Sequence, residues 1–256
     1  MRKLKEKEVK IIQYLMLVVL FGVAFVLPAY GVRVQMRESA GMNAQGNTGA
    51  QMQENAGKGT IVIDAGHGGF DSGMVGGSGI TEKALNLVYA KKLEALLTEA
   101  GYRVVQTRDT EEGLYDADES HKKAQDMQRR CAVIEQEQPL LAVSIHQNSY
   151  PQDASVCGPQ VFYYEHSAEG EQLAKCIQTC MNEQLEIARP RVQKGNASYY
   201  ILKRSASTTV IVECGFLTNP AEEAKLQEEA YQDKLVKAVC DGVLQYLNDA
   251  DSRVGK

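Results

Sequence analysis

Two histidines and two glutamates stand where this chain could gather them into one site. His67 lies in Asp64-Ala65-Gly66-His67-Gly68-Gly69, just past an apolar run, and His146 lies in Ser144-Ile145-His146-Gln147-Asn148, at the end of another. Glu213 closes the apolar run Val210-Ile211-Val212. Glu82 follows Thr81, after a loop holding Gly68, Gly69, Gly73, Gly76, Gly77 and Gly79 whose freedom would let it fold back toward His67. Two imidazoles and one carboxylate are the ligand set of a catalytic zinc site, with the fourth position left to water. The metal would bring that water's pKa down toward ~7 and polarise a carbonyl. With Glu82 as ligand, Glu213 is the spare carboxylate, able to take a proton from the water and pass it to a leaving amine. Each residue taken singly also has a plainer reading. A histidine after a strand fits a hydrogen-bonded structural role, and Glu82 fits an acidic first-turn residue favoured by the helix dipole. Glu213 is harder to place without a role, because burying a carboxylate with no partner is costly. His121 and His166 lie in polar surroundings and read as solvated loop residues.

These residues need a frame that ends several strands at one edge. Thr60–Asp64 reads as a short apolar strand before the Gly-rich loop. Leu85, Val88, Tyr89, Leu93, Leu96 and Leu97 then recur at helical spacing, with Gly101 as the stop. Tyr102–Thr107 reads as a strand, a polar loop covers Asp109–Ser120, and a helix runs to about Gln136. Leu140–Ile145, Gln160–Tyr164, Tyr199–Lys203 and Thr209–Glu213 read as further strands, with a helix from Ala168 to Ile187. Asn219-Pro220 opens a helical stretch to Leu247. Such alternation implies an α/β fold, with a single mixed, mostly parallel sheet of about six strands and helices on both faces. In open α/β sheets, sites form beyond the carboxyl ends of the strands, so residues distant in sequence can converge there.

Hydrophobic content of 44% and charged content of 24% are those of a globular chain. The net charge of −5 argues against nucleic acid as a partner. Arg2, Lys3, Lys5, Lys7 and Lys10 precede an apolar run from Ile11 to Tyr30 that reaches the ~20 residues needed to span a bilayer. Positive charge keeps that end in the cytoplasm. The expectation is one N-terminal transmembrane anchor with everything after it exported; a signal peptide cut after Ala29-Tyr30-Gly31 is the competing reading. The division expected is 1–30 as basic start and anchor, 31–58 as flexible linker, 59–249 as catalytic domain and 250–256 as tail. The six cysteines lack CxxC pairs. Cys176 and Cys180, one helical turn apart, could be a metal pair but read more simply as small apolar residues on a buried helix face.

Four motifs, in order, carry a family resemblance. They are IVIDAGHGG at 61–69, TEK at 81–83 with its helix, SIHQNS at 144–149 and VIVECGFLTN at 210–219. Together they resemble the zinc-dependent N-acetylmuramoyl-L-alanine amidases over about 60–247. The resemblance implies His67, Glu82 and His146 as zinc ligands and Glu213 as the catalytic carboxylate. Arg130 matches the family's arginine on the helix before the histidine strand, as structural support, and Asn148 is a further supporting or substrate-binding position. The basic start, anchor, tether and bare catalytic domain look like the subgroup that acts in spore cortex. That subgroup removes stem peptides so that muramic-δ-lactam can form, a separate deacetylase closing the ring. The partners implied are peptidoglycan, the membrane, that downstream deacetylase and an activator protein. The stretch from His146 to Glu213 looks too short for the inhibitory helix of some division amidases, and no wall-binding repeat appears, so control and targeting would come from the anchor, from timing of expression or from an activator protein. Departures are Ala65 where the family has Pro, Ser207-Thr208-Thr209 where it has a Pro at strand entry, and Cys214 for a small or aliphatic residue. None touches a ligand.

Three other readings compete. A cell-division or wall-turnover amidase would use the same chemistry. A cysteine hydrolase would use Cys214 with His146 as base, but neighbours on a strand point to opposite faces, which separates Cys214 from Glu213. A non-catalytic wall-binding protein on this fold would be expected to have lost one of the four residues.

Overall fold

The computed structural model describes residues 57–254, and for 251, 253 and 254 the backbone alone. The anchor expected over 1–30, nearly all of the linker and the last two residues lie outside them. Among the described residues no helix is long and apolar enough to cross a membrane.

The strands are β1 (Thr60–Ala65), β2 (Arg103–Gln106), β3 (Leu141–Asn148), β4 (Gln160–Tyr164), β5 (Lys194–Asn196) and β6 (Thr209–Phe216). They form one sheet in the order β2-β1-β3-β6-β4-β5. β2, β1, β3 and β6 run parallel. β4 is antiparallel to β6, and β5 is parallel to β4. The mixed six-stranded sheet matches the expected class. The apolar runs of β1, β3 and β6 are buried along nearly their whole length, as central strands covered on both faces must be.

The helices are α1 (Glu82–Glu99), α2 (Lys122–Glu137), α3 (Ala168–Gln184), α4 (Tyr200–Arg204), α5 (Pro220–Gln227) and α6 (Glu229–Val254). Strand alternation sorts the core into two parts. Ile61, Ile63, Val143, Ile145, Val210, Val212 and Cys214 pack in one cluster with Leu93 and Leu97 of α1, Ile177 of α3 and Val243 of α6. Val62, Ala142 and Ile211 face the other way, against Ile134 of α2 and Ile201 and Leu202 of α4. The catalytic candidates belong to this second, thinner side.

Three expectations change. Tyr199–Lys203 is not a strand: Asn196 Oδ1 accepts from the amides of Ser198 (2.7 Å) and Tyr199 (2.8 Å), turning the chain into α4. A short apolar run has no period to tell helix from strand, and this turn decides it. Val88 is exposed (39%), while Asn86, Leu87 and Ala90 are buried on α1. The C-terminal helical stretch breaks at Glu228 into α5 and α6.

Candidate functional site

β3 and β6 do not stop at His146 and Glu213. Their pairing continues to Asn148 and Phe216, with an irregularity between His146 and Asn148. The two residues are therefore register partners, His146 opposite Glu213, on adjacent strands and on one face. Parallel neighbours in a sheet stand about 4.8 Å apart, so the imidazole and the carboxylate flank one another by construction. Cys214, the next residue, is wholly buried in the opposite core. That removes it as a nucleophile paired with His146.

His67 reaches the same point from β1. Its backbone is left-handed, with φ 60, a conformation that is uncommon for a residue with a side chain. Two buried guanidinium groups hold it there. Arg130 of α2 donates from Nη1 to Asp64 Oδ1 (2.6 Å) and Ala65 O (2.7 Å), from Nη2 to His67 O (2.5 Å), and from Nε to Asp126 Oδ2 (2.6 Å). Arg108 donates to the carbonyls of Ala65 (2.8 Å), Gly66 (2.9 Å), Lys83 (2.9 Å) and Thr110 (2.7 Å). Burial works to raise the Asp64 pKa. Arg130 and the hydroxyls of Ser144 and Thr107 outweigh it, and hold the carboxyl down at about 2.

Glu82 arrives on a pinned loop, not a loose one. Glu82 N donates to Met74 O (2.8 Å), and Lys83 N to Ser72 O (3.1 Å). Glu223 of α5 accepts from Gly77 N (3.0 Å), Ser78 N (2.8 Å) and Ser78 Oγ (2.6 Å), clamping the loop tip. Glu82 Oε2 accepts from Met74 N (2.8 Å). Its Oε1 meets His67 Nε2 (3.1 Å), His146 Nδ1 (3.0 Å) and Gln147 N (3.1 Å). One ligand atom from each of His67, Glu82 and His146 lies within 4.8 Å of the others. Among the described residues these three form the one such group; none of the six free cysteines belongs to any.

The surroundings suit a cation between them. Asp71 Oδ1 contacts His67 Nδ1 (3.1 Å), leaving Nε2 turned to Glu82. A carboxylate behind a ligating imidazole fixes its tautomer and ring plane. Burial tends to lower the His67 pKa, but Asp71 and Glu82 on its two nitrogens raise it to about 9. Burial also opposes ionisation of Glu82, yet its contacts with His146 and His67 hold it well below the usual carboxylate range. Glu213 is different. Burial, with Glu82 adding, pushes it up to about 7 against the pull of His146 and His67. Its Oε2 is buried with no hydrogen-bond partner. An unpartnered carboxylate oxygen beside a His/Glu/His donor set fits a site built to hold a metal and move a proton. All four residues line one cleft of about 440 Å3, walled on the other side by Tyr199, Tyr200 and Ile201.

Gly66 shows how closely the site is built. A Cβ at this position would lie 2.2–2.8 Å from three atoms of the His146 ring, closer than van der Waals contact allows. Gly66→Ala is therefore expected to displace His146 and lower affinity for a divalent metal by about 10–100-fold, the range for disturbing a ligand's support. Competition with a chromogenic chelator measures it, and an unchanged circular dichroism spectrum separates it from unfolding.

Of the residues singled out in the sequence, His67, Glu82, His146, Glu213 and Asn148 line the cleft, and Arg130 lines it while bracing its floor. His121 and His166 are exposed, as expected. Sequence reasoning missed Asp64, Asp71, Arg108 and Asn86, whose Nδ2 donates to Gly66 O (3.1 Å). A signal existed for two of them: Asp64 is a charge ending an apolar run, and Asp71 follows His67 by four residues.

Comparison with known proteins agrees with this geometry. The N-acetylmuramoyl-L-alanine amidase family matches residues 61–245. The germination-specific N-acetylmuramoyl-L-alanine amidase of Bacillus subtilis is 33% identical over 192 residues, covering 74% of this chain and 80% of that protein. The amidase LytC of the same organism is 34% identical over 190 residues, 73% of this chain and 35% of LytC. The CwlD amidase of Clostridioides difficile, solved in complex with the GerS lipoprotein, superposes with a TM-score of 0.72 at 32% identity, covering 75% of this chain and 99% of that one. By sequence match, fold and the four residues gathered at its cleft, the chain belongs to the N-acetylmuramoyl-L-alanine amidases, a family of zinc-dependent peptidoglycan hydrolases.

Proposed function

We propose that the chain cleaves the amide between N-acetylmuramic acid and L-alanine at the cleft described above, with His67, Glu82 and His146 holding zinc. When bound there, zinc supplies a Lewis acid for the scissile carbonyl and makes water a stronger nucleophile at neutral pH. Glu213 accepts the proton of the attacking water and returns it to the departing amine. The observation that carries this reading is the register His146↔Glu213, which puts a base beside a ligand without making it one. Asn148, on the same strand and lining the cleft, is a candidate contact for the substrate.

Purified full-length chain incubated with peptidoglycan should release stem peptides with new L-alanine amino termini and no new reducing sugar ends. A chelator should stop release and added zinc restore it. New reducing ends without free L-alanine would overturn the reading.

The finer role proposed is in spore cortex, where stem removal precedes muramic-δ-lactam formation and a separate deacetylase completes the ring. The resemblance to a germination-specific amidase supports it. The catalytic region would act outside the cytoplasm, tethered by the N-terminal apolar segment or released by its cleavage. A lipoprotein activator is proposed by analogy with the CwlD–GerS complex. Muropeptides from a strain lacking the protein should lack muramic-δ-lactam; chains of unseparated cells with lactam intact would assign the enzyme to division instead.

A further inference from the structure

A second concavity, of about 640 Å3, adjoins the cleft. The two share Phe70, Lys123, Met127 and Tyr200, so a ligand could run from one to the other without leaving the wall. The charged groups lining this groove are Lys122 and Lys123, both basic, with no carboxylate among them. That is unusual on a chain of net charge −5. Lys123 Nζ is balanced by Asp71 Oδ2 at 3.1 Å. Lys122 Nζ instead lies 5.5 Å from the centre of the Tyr115 ring, and no carboxylate pairs with it among the described residues. At the junction Phe70 (58%) and Tyr200 (42%) expose large apolar surfaces.

We propose that this groove seats the peptide side of the substrate, and that Lys122 recognises a free carboxylate on it. The inference rests on the amidase reading above and extends it to the specificity of the site. A muramyl amide has two unlike halves. The glycan side is neutral and polar. The stem peptide carries free carboxylates together with methyl and methylene groups. The basic groups complement the free carboxylates of the second half, which the neutral glycan half lacks. The acidic residues of the cleft (Asp64, Asp71, Glu82, Asp126 and Glu213) all lie outside the groove's lining. Charge thereby orients the substrate across the scissile bond.

The test uses the full chain and two synthetic muramyl peptides that differ in one group, a free carboxylate or its carboxamide on the second stem residue. Hydrolysis is followed by kinetics, and binding of the corresponding free peptides by calorimetry. Wild-type protein should show a KM at least fivefold lower for the acid. Lys122→Glu should erase that preference, and Lys122→Arg should keep it. An acid preference unchanged in Lys122→Glu, or none in the wild type, overturns the proposal while leaving the amidase reading intact. If neither substrate is cleaved but the acid peptide binds more tightly through Lys122, the groove stands and the amidase reading falls. Neither cleavage nor binding overturns both.

Discussion

Glu213→Gln should abolish release of stem peptides and leave the metal in place. The substitution keeps volume and hydrogen-bonding shape but removes the proton acceptor. General acid–base catalysis is worth about 10²–10⁴ in rate, so kcat should fall by that factor with KM little changed. Metal content should not fall, because the converging ligand set is His67, Glu82 and His146, without Glu213. Elemental analysis of the purified variant checks the second half, and chromatography of released peptides the first. Wild-type kcat in a variant with full metal content would remove Glu213 from the mechanism. Loss of metal together with activity would instead make Glu213 part of the binding set.

Arg130→Met is expected to cause the largest loss of stability. Arg130 is 1% exposed and is the cation for Asp64, itself 2% exposed. Removing one partner of a buried pair leaves an uncompensated charge, at a cost of about 3–5 kcal/mol. For a domain of this size that is a fall in Tm of roughly 10 °C, read by thermal unfolding of the full chain. The carbonyls of Ala65 and His67 lose donors as well, so metal affinity should fall with it. Arg130→Lys keeps the charge but not the planar fork, and should lie between. The acid response separates charge from packing. The folded Asp64 has a pKa of about 2 against an ordinary 3.8. A lowered carboxyl pKa stabilises the fold above the ordinary value, and that stability is lost as pH falls from about 4 through 2. Wild-type protein should show this acid loss. In Arg130→Met the Asp64 contribution should be largely gone at neutral pH, and its acid dependence should flatten.

Much of the site is legible in the amino-acid sequence, and for local reasons. β1, β3 and β6 are apolar runs that could be little else than buried strands, and each carries or leads into a polar residue that an interior would not tolerate without a use. The amphipathic pattern of α1 marks its bounds to within a residue or two, although Val88 faces solvent and Asn86 is the residue needed behind Gly66. Tyr199–Lys203 departs from the strand expected of it because a short apolar run has no readable period, and the Asx turn at Asn196 overrides its strand propensity.

By itself the sequence determined the residue types of the site, the order of the strands that bear them and, through its ordered motifs, the family. Tertiary structure alone decided how those residues meet. Arg130 finds Asp64 across 66 positions, and Glu223 clamps Ser78 across 145. The register of β3 on β6 places His146 beside Glu213, where the sequence suggests only that both strands end nearby. The physical reason is one of range. Periodicity and turn chemistry act over a few residues and write themselves into the chain. Strand register and buried ion pairs are settled by packing between distant segments, which leaves no local trace. The left-handed turn at His67 belongs to the second kind: nothing in Asp64-Ala65-Gly66-His67 demands it, and two buried arginines from elsewhere in the fold hold it.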